Sequence, residues 1–161
     1  MAPARAILIA LGAWWLVPAG SVAAQVQRAA RPEFRVDALA SHAPSLQAGL
    51  GVAFPVATYV RLAAIAGAGV ARWRGSTGGA GRAEVVMRFL LDPYGEARLG
   101  FYGVGGLMVR YDAFDRWRPD AVVGLGLEGR FRAPLTPAVE IGLGGGVRAG
   151  VSLRWTRGDV R

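Results

Sequence analysis

The stretch AVEIGLGGGVRAGVSLRW (Ala138–Trp155) sorts its residues by parity. Every even position holds a small or polar residue, and every odd position holds an apolar residue or glycine. Because successive side chains of a β-strand point to opposite faces, a period of two held this long predicts β structure with one apolar and one polar face. The rest of the chain must show whether the apolar face meets a protein core or lipid.

The same alternation recurs upstream, where one parity is apolar and the other collects charges and glycines. It covers six segments: residues 34–40, 46–54, 59–71, 82–91, 96–111 and 120–132. Val86 and Leu90 are apolar exceptions on the polar side. Runs of this length with a period of two, separated by turn residues, predict an all-β chain.

The number of strands depends on how the C-terminal stretch is divided. As one strand it brings the total to seven, whereas bacterial single-chain barrels use even numbers. The glycine triplet at 144–146 offers a three-residue hairpin loop that would pair Leu143 with Val147 and keep the parity of both arms. We therefore predict eight strands, with 138–143 as the seventh and 147–155 as the eighth, and keep seven as the alternative.

The N-terminal residues 1–24 have the layout of a secretory signal peptide. Arg5 precedes an uncharged apolar run at 7–17, and small residues offer a cleavage point just before Gln25. The apolar run is too short to span a bilayer as an ordinary transmembrane helix. The sequence therefore predicts a cleaved, helical signal peptide followed by a single barrel domain at 25–161.

Composition narrows the classes of function. The chain has no cysteine, so an exported domain cannot rely on disulfides, and a lone histidine, His42, offers no credible metal site. The formal net charge is +8, but the arginines are spread along the chain, which argues against nucleic-acid binding. Glycine is frequent, yet a hydrophobic content of 53% argues against disorder. We expect no cofactor.

Three features favour lipid over a protein core as the partner of the apolar faces. The polar face carries charges in nearly every segment, and a small barrel can pair such charges in its interior. Aromatic residues lie near segment ends, where membrane barrels place interfacial girdles. Glycines cluster mid-strand on the polar face, where a narrow interior leaves little room for side chains. We therefore predict an antiparallel, up-and-down transmembrane β-barrel of eight strands.

On this interpretation, seven charged residues project into the lumen of the barrel. They are Arg61, Glu84, Arg88, Arg98, Glu128, Glu140 and Arg148. These side chains would either pair with one another and plug the lumen or select anions in a narrow conduit. Eight strands leave an interior only wide enough for side chains, which favours the plug.

The connections between the predicted strands alternate in length. Short turns, each bearing proline, at 55–58, 92–95 and 133–137 alternate with longer polar segments at Arg74–Gly81 and Asp112–Pro119. With a periplasmic N-terminus, the short turns would lie in the periplasm and the longer segments outside, as in outer-membrane barrels. The second long segment holds the candidates for contact with a partner or lipopolysaccharide: Phe114, Arg116, Trp117 and Arg118.

The end of the opening stretch carries a spaced motif of a polar residue, a glycine, a hydrophobic residue and an aromatic residue. These are Arg148, Gly150, Leu153 and Trp155. The motif resembles the C-terminal assembly signal of bacterial outer-membrane proteins, and the layout of the chain resembles small OmpA-like and OmpX-like eight-stranded barrels. The resemblance implies insertion by the outer-membrane β-barrel assembly machinery. This sequence departs from the pattern because residues 156–161 follow the aromatic residue, which is normally final or nearly so.

Together these features predict a monomeric, non-enzymatic outer-membrane barrel with a structural or surface-interaction role, in contact with outer-membrane lipids and lipopolysaccharide. Two alternatives stay open. One is a narrow, anion-preferring conduit through the lumen. The other is an enzyme that modifies lipid, for which the candidates are His42 and its sequence neighbours Ser41, Ser45 and Glu33. A solvated histidine in a loop is the simpler explanation of His42.

Overall fold

The computed structural model describes residues 30–94, 97–114, 116–129 and 134–155, which form a closed antiparallel barrel. Its strands are β1 (Arg31–Ala40), β2 (Ser45–Ala57), β3 (Val60–Trp73), β4 (Ser76–Leu90), β5 (Leu99–Asp112), β6 (Arg116–Gly129), β7 (Leu135–Leu143) and β8 (Val147–Trp155). Each strand pairs with its neighbours in sequence, and β1 closes the barrel by pairing with β8. The predicted all-β class, the up-and-down topology and the eight strands are confirmed.

Two predictions concern residues outside this set. The signal peptide at 1–24 and the extension after Trp155 both lie outside the described residues. In the part of the chain that the structure describes, no helix is long and apolar enough to cross a membrane.

Side-chain direction follows parity, as the alternation predicts. In β8 the even residues are buried in the interior and the odd residues are exposed on the outer wall. In β8, the small and polar residues of the stretch Ala138–Trp155 therefore face the interior, and its apolar residues face the outer wall. Val86 and Leu90, the two apolar exceptions of β4, keep their parity and are buried inside the barrel.

The glycine triplet divides the opening stretch in the predicted way. Leu143 lies opposite Val147, and the amide of Gly144 donates a hydrogen bond to the carbonyl oxygen of Gly146 at 3.0 Å. Gly145 and Gly146 have φ angles of +66° and +153°. L side chains rarely adopt these angles, so the turn that separates β7 from β8 requires glycine.

The barrel has two ends with different contents. The end that holds Arg31 and Trp155, called the terminal end below, carries the connections at 58–59, 91–98 and 130–134. The opposite end, called the distal end, carries the connections at 41–44, 74–75, 113–115 and 144–146. Because the distal connections are no longer than the terminal ones, the predicted alternation of short turns and long loops is wrong.

The two segments predicted as long exposed loops continue the strands instead. Arg74 and Gly75 alone join β3 to β4, and their φ angles of +46° and +86° are those of a type I′ hairpin turn. Likewise, β5 runs to Asp112 and β6 begins at Arg116. Glycine-rich, polar composition is typical of loops, but at the rim of a barrel the backbone can stay paired without apolar side chains. Strand pairing therefore extends further than the composition suggested.

Candidate functional site

Charged side chains converge in the barrel interior, which is the candidate site. Seven arginines and seven carboxylates on the described strands point inward: Arg35, Arg61, Arg82, Arg88, Arg110, Arg148, Arg154, Glu33, Asp37, Glu84, Asp112, Asp120, Glu128 and Glu140. The numbers are equal, so these side chains together carry no formal net charge.

Six of the seven predicted lumen residues belong to this set, and Arg98 does not. Arg98 has the inward parity of its segment, but β5 begins only at Leu99. Arg98 therefore lies exposed in the connection between β4 and β5, and its prediction as a lumen residue is wrong.

Glu140 on β7 links several strands across the lumen. Its Oε1 accepts hydrogen bonds from Arg88 Nε and from the Tyr102 hydroxyl, both at 2.9 Å, and its Oε2 accepts a hydrogen bond from Arg35. The donors come from β4, β5 and β1. One buried carboxylate thus connects four strands and stabilises two guanidinium groups.

Arg88 is bound by carboxylates on two sides. Its Nη1 and Nη2 atoms donate to Glu33 at 2.6 and 2.7 Å, while its Nε donates to Glu140. The side chain is fully buried. A guanidinium group matches a carboxylate through two parallel hydrogen bonds, and these charge-assisted bonds offset part of the cost of removing the ions from water.

A second group of pairs lies beside Glu140. Arg148 donates to both oxygens of Glu84 at 2.7 and 3.2 Å. Arg35 Nε donates to Asp37 at 2.7 and 2.8 Å, and Arg82 binds the same carboxylate. The guanidinium of Arg35 therefore joins this group to the one around Glu140.

Towards the terminal end, one carboxylate serves two arginines. Glu128 Oε2 accepts hydrogen bonds from Arg61 Nη1 at 2.7 Å and from Arg154 Nη1 at 2.8 Å. Arg154 Nη2 also donates to the Tyr102 hydroxyl at 3.3 Å. Tyr102 thus connects the pairs around Glu128 with those around Glu140.

Apolar side chains occupy the space between the charges. The buried cluster consists of Ala53, Ala63, Ile65, Val86, Leu90, Tyr102, Val104, Met108, Val122 and Ala138. Gly126 makes room for the largest of these, because a Cβ at this position would overlap the Tyr102 ring and lie 2.6 Å from its hydroxyl. Paired charges and apolar side chains together plug the lumen, as predicted.

Several interior residues were absent from the predicted lumen set. They are Glu33, Arg35, Asp37, Arg82, Arg110, Asp112, Asp120 and Arg154. A signal was present, because each lies on the polar parity of its segment or, for Glu33 and Asp112, one residue beyond the segment on the same parity. Applying parity without exception would have found them, whereas no sequence feature indicates which arginine meets which carboxylate.

A small apolar cluster lies at the distal end. Trp73 and Phe114 pack against Ala43, Ala71 and Ala80. Phe114 is therefore half-buried, and it does not stand on an exposed loop as predicted. His42 lies against Trp73, with 3.9 Å between the ring centroids.

The residues suggested for a lipid-modifying enzyme do not form a catalytic group. Ser41 Oγ donates to the carbonyl oxygen of Ala43 at 3.0 Å. Glu33 lies seven residues before the distal end of β1 at Ala40, about 23 Å along the strand at roughly 3.3 Å per residue, whereas His42 lies in the connection just beyond that end. Within the described ranges, no group of three or more histidine, cysteine, aspartate or glutamate residues could hold a metal ion.

The outer wall is apolar along the length of the strands. It includes an open groove of about 750 Å³, where the alanines Ala64, Ala66 and Ala83 lie between Leu50 and Leu107. A surface of this kind suits contact with hydrocarbon chains.

Three of the predicted contact residues lie on β6 at the distal rim. Arg116 and Arg118 are exposed, and Trp117 is 69% exposed. The Trp117 ring packs against Tyr111 of β5, with 5.3 Å between centroids. The two aromatic side chains lie on the outer face of the barrel near one end, where membrane barrels carry interfacial aromatic residues.

The residues of the predicted assembly signal occupy both faces of β8. Arg148 and Gly150 face the interior, whereas Leu153 and Trp155 face outward near the terminal end. Gly150 lies close to Asp37, so that a Cβ there would overlap this carboxylate. Recognition by the assembly machinery stays a prediction.

A closed barrel with a polar, plugged interior and an apolar outer wall defines the class of small membrane β-barrels. No protein-family model matches the chain, and no curated protein matches it. Among solved structures, the crystal structure of Neisserial surface protein A is similar, with a TM-score of 0.53 and 9% sequence identity. The match covers 78% of this chain and 94% of that one. The chain thus has the fold of small bacterial outer-membrane β-barrels, as the resemblance implied.

Proposed function

We propose that this chain is a non-enzymatic outer-membrane protein with a structural or surface-interaction role. The observation that carries the proposal is the closed barrel whose interior is filled by paired side chains. Closing the sheet satisfies every strand edge, which a bilayer requires because lipid offers no hydrogen bonds to backbone groups. In a bilayer, lipid chains would remove the apolar outer wall from water, as packing in the core does for the apolar side chains of a soluble protein.

The plugged interior supports a structural role over a conduit. The inner carboxylates Glu33, Glu84 and Glu140 are each held by arginine, so the central charges are engaged with one another. The interior set is also formally neutral, which gives no preference for anions. A conduit would need mobile or unpaired charges along a continuous water-filled path.

The proposed partners follow from the surface. Lipid chains would cover the outer wall, and lipopolysaccharide would meet the distal rim at Arg116, Trp117 and Arg118. The motif that ends at Trp155 would bind the outer-membrane β-barrel assembly machinery. We propose that the barrel acts as a monomer, because it needs no second chain to complete its sheet or its interior.

Cysteine labelling tests the location and orientation together, since the natural sequence has no cysteine. Ser76→Cys places a thiol at the exposed first residue of β4, next to the distal turn, and Thr58→Cys places one at the exposed terminal turn. With a membrane-impermeant maleimide on intact cells, we expect labelling of Ser76→Cys alone. Thr58→Cys should react only after the outer membrane is permeabilised.

Two results would contradict this proposal. Labelling of Thr58→Cys alone in intact cells would mean that the barrel has the opposite orientation. Recovery of both variants in the soluble fraction would exclude a membrane protein. A mobility difference between boiled and unboiled samples in electrophoresis serves as the control that each variant is folded.

A further inference from the structure

A cavity of about 400 Å³ opens at the terminal end of the barrel. It is lined by Arg31, Ala53, Phe54, Pro55, Val56, Ala57, Thr58, Arg61, Leu90, Pro93 and Arg154. We call it the terminal cavity. Among the described residues, its wall combines three arginines with proline and aliphatic side chains and includes no carboxylate.

The charge of the terminal cavity differs from that of the interior as a whole. Arg61 and Arg154 both pair with Glu128, and Arg154 also lies 3.7 Å from a carboxylate oxygen of Glu33. Arg31 makes no ion pair with any acidic residue in the part of the chain that the structure describes. Arg31 is not among the seven inward arginines that the seven carboxylates balance, so it adds a positive charge at the terminal mouth of the barrel.

Arg154 has donor capacity that the protein leaves unused. Its side chain is only 3% exposed, and its Nε donates no hydrogen bond within the described residues. The nearest acidic oxygen is that of Glu33 at 3.7 Å, too far for a hydrogen bond, and Glu33 already accepts two bonds from Arg88. Because this Nε atom is itself buried, Arg154 would act on a ligand in the terminal cavity through its charge and not through a hydrogen bond from this atom.

We infer that the terminal cavity binds a phosphate group. Guanidinium groups hold phosphate through paired hydrogen bonds, and three arginines line this cavity. The volume exceeds that of a phosphate and lies in the range of small-molecule sites, while Val56, Leu90 and Pro93 offer apolar contact. The ligand would therefore be a phosphate ester whose attached group fills the rest of the cavity.

Two sources could supply this chemistry: the headgroup of a phospholipid in the adjacent leaflet, or a water-soluble phosphate compound. The inference about the cavity stands on its residues alone. The phospholipid source additionally rests on the proposed placement in the outer membrane.

Binding can be measured on the folded full chain in a non-ionic detergent by phosphorus NMR line broadening. The probes are inorganic phosphate and dihexanoyl phosphatidic acid, and the lipid is titrated below its micelle-forming concentration. We expect binding of at least one probe, weakened about tenfold or more by Arg31→Gln. Arg31 has no acidic partner to lose among the described residues, so this variant should fold.

Arg72→Gln is the matched control, because it removes an exposed arginine from the distal end of β3. It should leave binding unchanged. Binding of inorganic phosphate would show that the phosphate group alone is sufficient for binding. Binding of the lipid probe alone would indicate that the ligand is a phospholipid. The inference is overturned if neither probe binds at 10 mM, which is about the weakest affinity of interest, or if Arg72→Gln weakens binding as much as Arg31→Gln. Neither result depends on cell labelling, so failure here is separable from failure of the proposed function.

Discussion

Glu140 accepts hydrogen bonds from three donors on three other strands, and the first prediction concerns this residue. Glu140→Gln keeps the shape but removes the charge that balances Arg35 and Arg88. Leaving buried arginines with fewer anions should lower the free energy of unfolding by about 3 kcal/mol or more. Urea unfolding in detergent measures the change. Asp92→Asn is the control, since Asp92 lies in a connection and accepts a hydrogen bond from Ala97 that an amide oxygen can keep. Equal losses in both variants would contradict the role given to Glu140.

Gly126 and Gly103 test the packing of Tyr102. A methyl group at Gly126 would overlap the Tyr102 ring, whereas one at Gly103 would meet nothing within 4 Å. Gly126→Ala should therefore displace the ring, weaken its bond to Glu140 and cost about 1–3 kcal/mol of stability. Gly103→Ala should have little effect. Near-ultraviolet circular dichroism would follow the ring, and an unchanged tyrosine signal in Gly126→Ala would show that the interior is looser than described.

At the level of single residues, parity predicts direction but not partnership. Alternation placed Glu84, Arg88 and Glu140 in the lumen because a strand has a fixed period. The pairing of Arg35 with Glu140 joins residues 105 positions apart and depends on how the closed sheet staggers its strands. Arg98 shows the other limit, because parity has meaning only where a strand is present.

The strand boundaries at the distal end differ from those that composition predicted. The segment Arg74–Gly81 was predicted as a loop from its composition, yet only two of its residues form the turn. Gly75 has a φ of +86°, whereas Gly79 has an ordinary backbone conformation. A Cβ added at either position would have no atom within 4 Å. Gly75→Ala should thus cost about 1–2 kcal/mol through backbone strain alone. Gly79→Ala should be neutral or slightly stabilising. Urea unfolding of the two variants distinguishes a tight hairpin from a flexible loop, for which both substitutions would behave alike.

The strand β8 carries the predicted assembly signal, which can be separated from stability. Trp155 and Phe101 both face outward near the terminal end, on β8 and β5. Trp155→Ala should slow insertion into proteoliposomes that contain the outer-membrane assembly machinery, since the motif would lose its aromatic residue. Phe101→Ala removes a comparable outer-wall aromatic outside the motif and should insert at the normal rate. Insertion is followed by the heat-dependent mobility shift, and equal rates for the two variants would remove the support for a recognition role.

At the scale of the whole molecule, the strand count and closure could be predicted because they rest on a repeated local pattern. The orientation of the barrel in the membrane could not be predicted. It was inferred from loop lengths, and the distal and terminal connections do not differ in that way. Charge does not separate the two ends either, since arginines lie both at the distal rim and around the terminal cavity.

Conductance tests the molecule as a unit, because a plug depends on all of its parts at once. The central carboxylates are engaged by arginines, and apolar side chains fill the remaining space between them. The folded barrel should therefore produce no discrete current steps in planar bilayers, with the heat-dependent mobility shift showing that the added protein is folded. Moving a lone ion through such an interior would require breaking paired charges, each worth several kcal/mol of desolvation. Reproducible steps with a preference for chloride would instead establish the anion conduit and would mean that the central pairs open on the timescale of ion passage.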